Sequence, residues 1–222
     1  CHVIQAAAIP PGDSPDTIAA ATSPSGRYVC GYISIPGGSE RAFIYETEIR
    51  QFMLLPLPTG GLSSIAWDVN DAGMVVGSYW VTGGVSPQRG FIYDITDGQY
   101  TAELLPYPGA SWCAATAINS SNEAGGFRSI GSKGDTVNPF TAFTWSPSSG
   151  EFTDLGVLTG PSTSATDIAD DGTVVGWVGT SLAGASSRAF IWHKDSAVVL
   201  PPVPGGVASA TLVGAGLWWI PP

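Results

Sequence analysis

Apolar and small polar residues alternate in short runs along this chain, and every run stops at Gly, Pro, Asn or Asp. The series SSIAWDVN (63–70), MVVG (74–77), RGFIY (89–93) and AELLPYPG (102–109) is representative. Alternation over four to eight positions predicts half-buried β-strands, and no stretch carries the 3.6-residue spacing of an amphipathic helix. The pattern therefore predicts an all-β chain of short strands and tight turns.

The pattern repeats. RAFIY ends at Tyr45, RGFIY at Tyr93, TAFTW at Trp145 and RAFIW at Trp192, with Phe43, Phe91, Phe143 and Phe190 separated by 48, 52 and 47 residues. Self-similarity at this period marks supersecondary units that bury their apolar faces against one another. Each unit has four segments. The first alternates small and apolar residues (TIAAATSPSG, SSIAWDVNDAG, CAATAINSSNE, STSATDIADDG), and the second is a short strand closing on Gly31, Gly77, Gly126 or Gly176. A turn rich in Asn, Asp and Gly joins these two as a β-hairpin. Asn122 stands where Gly73 and Gly172 stand, as suits a left-handed turn position. The third segment is the aromatic strand. The fourth (FMLLPLPTGG, AELLPYPGAS, FTDLGVLTGPS, AVVLPPVPGG) runs into Pro or Gly, which places it at a sheet edge because Pro cannot donate to a ladder.

Four strands per period of about 50 residues is the arrangement of a β-propeller blade. A parallel β-helix is the competitor, but its rungs are shorter and less hairpin-like. The reading is one propeller domain over 1–222, with repeats at about 16–58, 62–108, 111–160 and 162–204 and partial repeat segments at 1–15 and 205–222. VIQAAAIPPGD resembles a fourth segment, and ASATLVGAGLWWI resembles the first two. Five blades follow, one of them composite or incomplete for want of an aromatic strand. An unpaired strand edge recruits other chains, so Leu217, Trp218, Trp219 and Ile220 form a candidate self-association edge. Truncation of a longer array explains the same feature.

Composition narrows the setting. The 222 residues suffice to bury roughly 70% of the unfolded surface. Gly 29 and Pro 18 are turn punctuation rather than disorder, because 44% of residues are hydrophobic and eight are Trp. The formal charge of -10, with eight Lys and Arg against 18 Asp and Glu, disfavours nucleic acid and anionic membrane surfaces as partners. No run approaches the ~20 apolar residues of a membrane span. A low share of charge suits an exported protein. Cys1 stands where a bacterial lipoprotein carries its lipid anchor, and a fragment boundary accounts for it at least as well. Cys30 and Cys113 read as buried free thiols, with a disulfide between them left open.

The run S-x-A-x-x-I-N-x-x-G-x-V-V-G, the A-F-[IL]-[WY] strand and the closing L-G/P-x-L/P-x-G segment together resemble the HAF repeat of bacterial extracellular proteins. The resemblance runs from about Asp16 to Pro204. It implies export and a propeller-like array, and it brings no catalytic residues. The family's His-Ala-Phe appears here as Arg41-Ala42-Phe43, Arg89-Gly90-Phe91, Thr141-Ala142-Phe143 and Arg188-Ala189-Phe190.

Candidate chemistry is sparse. His2 and His193 are the two histidines, neither in a metal-binding spacing, and no zinc-type Cys pair, nucleophile elbow or phosphate loop is present. No cofactor, metal or catalytic residue is assigned. Asp68, Asp71, Asp167, Asp170 and Asp171 are the carboxylates a glycoside hydrolase would draw on. Asp71, Asp170 and Asp171 lie in turns that take local backbone hydrogen bonds, and Asp68 and Asp167 share a repeat position, which favours a structural role. Arg41, Arg89 and Arg188 recur in register and are expected to bridge strands of their own blade, toward positions of the Asp68 and Asp167 type. Trp67, Trp80, Trp112 and Trp177 vary between repeats and are the candidate ligand-binding aromatics, with inter-blade packing as their alternative role. The acid-rich DIADDG turn lacks a full Ca²⁺ ligand set, and Asn119-Ser120-Ser121 matches a glycosylation acceptor. The leading expectation is an exported, non-enzymatic propeller acting as an extracellular or cell-surface scaffold. A glycan-binding propeller comes second, and a glycoside hydrolase third.

Overall fold

The computed structural model describes residues 16–35, 38–81, 88–104, 111–130, 139–156, 158–179 and 187–201, with the backbone of Leu212, Val213, Gly216 and Leu217. Strands follow in chain order: β1 (Thr17–Thr22), β2 (Tyr28–Ile35), β3 (Ser39–Glu46), β4 (Gln51–Leu54), β5 (Gly61–Val69), β6 (Met74–Val81), β7 (Gln88–Asp94) and β8 (Gln99–Leu104). Then come β9 (Cys113–Ile118), β10 (Ala124–Ser129), β11 (Phe140–Trp145), β12 (Phe152–Gly156), β13 (Ser162–Ile168), β14 (Val174–Gly179), β15 (Arg188–His193) and β16 (Ser196–Val199). A last hairpin joins β17 (Leu212–Val213) to β18 (Gly216–Leu217). The described residues include no helix.

Each consecutive quartet of strands forms one antiparallel meander, giving four four-stranded sheets. The first strands lie side by side, β1 with β5, β5 with β9, β9 with β13, and β13 with β17, without a comparable approach between fourth strands. The sheets thus converge on their first strands and splay at their fourth, so this is a β-propeller of four-stranded blades. Three apolar clusters fill the spaces between successive blades, built around Ile44 with Val75, Ile92 with Ile118, and Leu155 with Ile168. β1 ends the described array, and Ile18 on it is 44% exposed, whereas β5, β9 and β13 are mostly buried between neighbours. Of the candidate self-association edge, only the backbone of Leu217 is described. Trp218, Trp219 and Ile220 lie outside the described residues, as does Cys1.

The recurring glycine does not end the second strand, contrary to the sequence reading; β2 continues to Ile35 and β6 to Val81. Its role is close approach. In every blade it pairs on one side with an alanine and on the other with the repeat phenylalanine: Ala19–Gly31–Phe43, Ala66–Gly77–Phe91, Ala115–Gly126–Phe143 and Ala165–Gly176–Phe190. All four first strands carry a one-residue bulge directly after that alanine, at Ala20, Trp67, Thr116 and Thr166. A Cβ at Gly126 would lie 2.0 Å from the Ala114 carbonyl oxygen and 2.9 Å from the Phe143 ring; Gly77 meets Ile65 and Phe91, and Gly176 meets Ser164 and Phe190, in the same way. Phe91, Phe143 and Phe190 are fully buried and Phe43 nearly so, each burial stabilising by about 1.5–3 kcal/mol. Phe43, Phe91 and Phe143 also pack against Phe52, Tyr100 and Phe152 of the fourth strand.

Adjacent glycines give a direct test. A Cβ at Gly125 meets nothing nearer than 3.6 Å, an ordinary contact. Gly126→Ala is expected to destabilise by about 1–3 kcal/mol through overpacking, while Gly125→Ala stays within about 1 kcal/mol of the parent. Equilibrium denaturation of both variants checks this.

Candidate functional site

Polar side chains around the first strands join blade to blade. The backbone N–H of Ala42 donates to Ser64 Oγ at 3.1 Å, and that of Ala142 donates to Thr163 Oγ1 at 2.8 Å. Between the second and third blades the same place is taken by Cys113, whose sulfur accepts from the Gly90 N–H. Cys30 and Cys113 are both free and buried, and burial pushes both thiols up, Cys113 to about 12, which disfavours the thiolate form.

Asp68 extends this pattern. Its Oδ1 accepts the Val69 N–H at 2.8 Å, and its Oδ2 accepts the Ile118 N–H of the next blade at 2.9 Å. Burial pushes its carboxyl up to about 7 despite those two hydrogen bonds, with a further upward contribution from Asp167. Asp167 occupies the same place on β13, accepts the Ile168 N–H at 2.8 Å, and is also raised by burial.

The hairpin turns form a second row of links. Asp71 and Asp170 were expected to bond locally; instead each reaches the preceding blade. Asp71 accepts the Ser25 N–H at 3.0 Å and its hydroxyl at 2.6 Å, and Asp170 accepts the Ser120 N–H at 2.9 Å. The cause is spatial: converging hairpins bring a neighbouring turn within reach of a short side chain. Asp171 bonds locally, to the Thr173 N–H. Asn70 and Asn119 hold their own turns through Oδ1 and donate through Nδ2 to the next blade, at the Asn119 and Ala169 carbonyls.

Arg41 and Arg89 bridge within their own blades, Arg188 reaches the linker from the preceding blade, and none turns toward the Asp68 and Asp167 positions. Arg41 donates to the Leu55 carbonyl at 3.2 Å, Arg89 to Glu103 at 2.6 Å and Arg188 to Thr159 Oγ1 at 3.2 Å. Beside Arg41 and Arg89 runs the fourth strand or its continuation, and beside Arg188 the linker that enters its blade, whereas Asp68 and Asp167 sit on first strands. Among the described residues, Arg41 Nε is a buried donor with no partner. His193 shares a 2.8 Å hydrogen bond with Thr173 Oγ1 at a strand end.

The four candidate tryptophans separate. Trp177 is buried on β14, 9% exposed. Trp67 is half-buried, its Nε1 donating to Ser78 Oγ at 3.1 Å, and Trp80 is half-buried on β6. Trp112 is 41% exposed, standing 5.9 Å from Phe140, which in turn meets Phe127 edge-on at 5.1 Å. Sequence reasoning passed over Phe127 and Phe140 because they lie outside the repeating aromatic strand positions. It also passed over a cavity of about 200 Å³ between the first two blades, lined by Pro58, Thr59, Tyr79, Phe91, Tyr100 and Glu103. There burial pushes Glu103 up, but the Tyr79 hydroxyl and the Arg89 guanidinium outweigh it and hold the carboxyl below its ordinary range. Among the described residues no three His, Cys, Asp or Glu side chains gather as a metal site, and no helix is long and apolar enough to cross a membrane.

The raised Asp68 carboxyl fixes the sign of one pH effect. A carboxyl whose folded pKa lies above its unfolded value disfavours folding once ionised, so this cost is full above about pH 7 and absent below the unfolded value near 4. The melting temperature is expected to rise from about pH 8 to about pH 5, before the depressed carboxyls Asp71 and Glu103 begin to protonate. Asp68→Asn should flatten that rise in a calorimetric pH series.

No protein-family profile and no curated protein sequence matches the chain. Among solved structures it is similar to TolB from Acinetobacter baumannii, with a TM-score of 0.51 and 16% identity. The alignment covers 78% of this chain and 40% of that one, so the chain spans less than half of TolB. At that identity the likeness speaks for the β-propeller fold alone.

Proposed function

We propose that the protein is an exported, non-enzymatic β-propeller of the HAF-repeat type, serving as an extracellular or cell-surface scaffold. The observation that carries this reading is the engagement of its acidic and amide side chains in holding blades together. Asp68, Asp71, Asp170, Asn70 and Asn119 all bridge neighbouring blades through backbone groups. Carboxylates tied in this way are poor acid–base catalysts, since a working pair must reach the substrate and change protonation in turn. Self-association through the strand at Leu217 belongs to the same reading, because open strand edges accept further strands.

A second reading, glycan binding, is favoured by Trp112. Flat apolar sugar faces stack on exposed aromatic rings, and Trp112 with Phe140 and Phe127 offers such a surface at one rim of the third blade. Ser63 and Ser162, the two residues that accept the preceding blade's Glu40 and Phe140 N–H groups, occupy the corresponding place in the second and fourth blades. An exposed ring there departs from the repeat, as a binding position does on a constant scaffold.

Two measurements test these readings. Incubation with a panel of p-nitrophenyl glycosides is expected to give no turnover; turnover abolished by Asp68→Asn or Asp167→Asn would replace the scaffold with a hydrolase. Titration with oligosaccharides while following tryptophan fluorescence supports the glycan reading if quenching occurs and disappears in Trp112→Ala.

A further inference from the structure

One pair of facing positions changes its chemistry from blade to blade while the surrounding frame stays constant. On the second strand it lies two residues after the repeat glycine, and on the fourth strand it lies opposite the repeat phenylalanine. The first blade has Ile33 and Leu54 there, and the fourth has Val178 and Val199, both apolar pairs. The third has Arg128 and Asp154, and the second has Tyr79 and Glu103.

The third blade closes this space. Arg128 lies over the Phe152 ring at 4.3 Å and bonds Asp154 through two parallel contacts of 3.1 and 2.7 Å. A guanidinium stacked on the ring and forked onto a carboxylate fills the volume above the fourth strand. In the second blade the shorter reach of Tyr79 leaves that volume open. Phe91 and Tyr100 meet there at 89°, Pro58 and Thr59 stand on the opposite side, and a cavity of about 200 Å³ remains.

We propose that this cleft is a binding site for a single neutral pyranose ring. The volume is below the roughly 300–1,000 Å³ of sites for drug-sized ligands and suits one ring. Tyr100, backed by the buried Phe91 ring, presents apolar aromatic surface for a sugar face. The polar wall is fixed in advance: the Tyr79 hydroxyl and Arg89 Nη1 both bond Glu103 Oε1, and the Tyr100 hydroxyl bonds the Pro56 carbonyl. With both bonds on Oε1, Oε2 is left to accept a sugar hydroxyl, and Arg89 holds the carboxylate in place from outside the cleft. Preorganised groups of this kind lose little freedom on binding. The Arg89 charge beside Glu103, with Arg41 close enough to act on Tyr100, selects against a cationic ligand. The ligand class matches the second reading above, but the residues are different and the two fail separately.

The test uses the full chain and four probes: the methyl pyranosides of glucose, galactose, mannose and N-acetylglucosamine, followed by saturation-transfer NMR. At least one is expected to bind with a dissociation constant on the order of millimolar. Tyr79→Arg rebuilds the filled arrangement of the third blade and should weaken binding about tenfold or more, while Trp112→Ala leaves it unchanged. Should Tyr79→Arg not fold, Glu103→Gln at the exposed mouth and Thr59→Arg on the exposed linker carry the same expectation. Absence of binding by all four glycosides overturns the proposal. So does binding that survives Tyr79→Arg or, should that variant not fold, survives both Glu103→Gln and Thr59→Arg.

Discussion

The blade depends on a missing Cβ. At Gly31, Gly77, Gly126 and Gly176 the first-strand backbone comes so close that any side chain would strike a carbonyl oxygen at 2.0 to 2.1 Å. In three of those positions the phenylalanine of the third strand covers the vacated surface from the other side. An aromatic ring laid over a strand glycine restores the packing that the glycine forgoes. The alanine–glycine–phenylalanine row thus sets the register across three strands, and a shift of one residue would put the ring on the wrong face. The remaining apolar contacts between blades assume this register.

Blades built alike must still be held in a fixed relation. The molecule uses short polar side chains for this, on the first strands and at the hairpin tips, where the convergence of the sheets brings neighbouring backbones within reach. Serine, threonine and cysteine are equivalent at one such place because each needs only to accept a backbone N–H. Asp68 goes further and carries a charge into an enclosed position, which is why its carboxyl is raised rather than depressed. An interior so committed to self-contact leaves recognition to positions that differ among blades, such as Trp112 and the Tyr79–Glu103 pair.

Much of the fold was legible because a strand records its environment with a period of two and each blade repeats the record. Turn glycines, the buried phenylalanines and the order of segments all follow from local rules. What escaped is equally specific. The recurring glycine read as a strand end because sequence cannot tell a backbone that stops from one that is approached. Asp71 read as a local turn cap because its actual partner, Ser25, lies 46 residues away. The arginines read as partners of carboxylates on first strands, but Arg41 and Arg89 meet the fourth strand or its end and Arg188 the linker entering its blade.

The chain by itself determined its strands, their quartets and the radial stacking of those quartets, since alternation, turn residues and period are properties of neighbouring residues and of repetition. Only the tertiary structure decided which tryptophan is exposed, which carboxylate is enclosed, and that Tyr79, Tyr100 and Glu103 share a cleft with Pro58 and Thr59. Those outcomes depend on how much space two packed blades leave between them. That space is set by the joint volume of side chains distant in sequence, and no short window of sequence contains it.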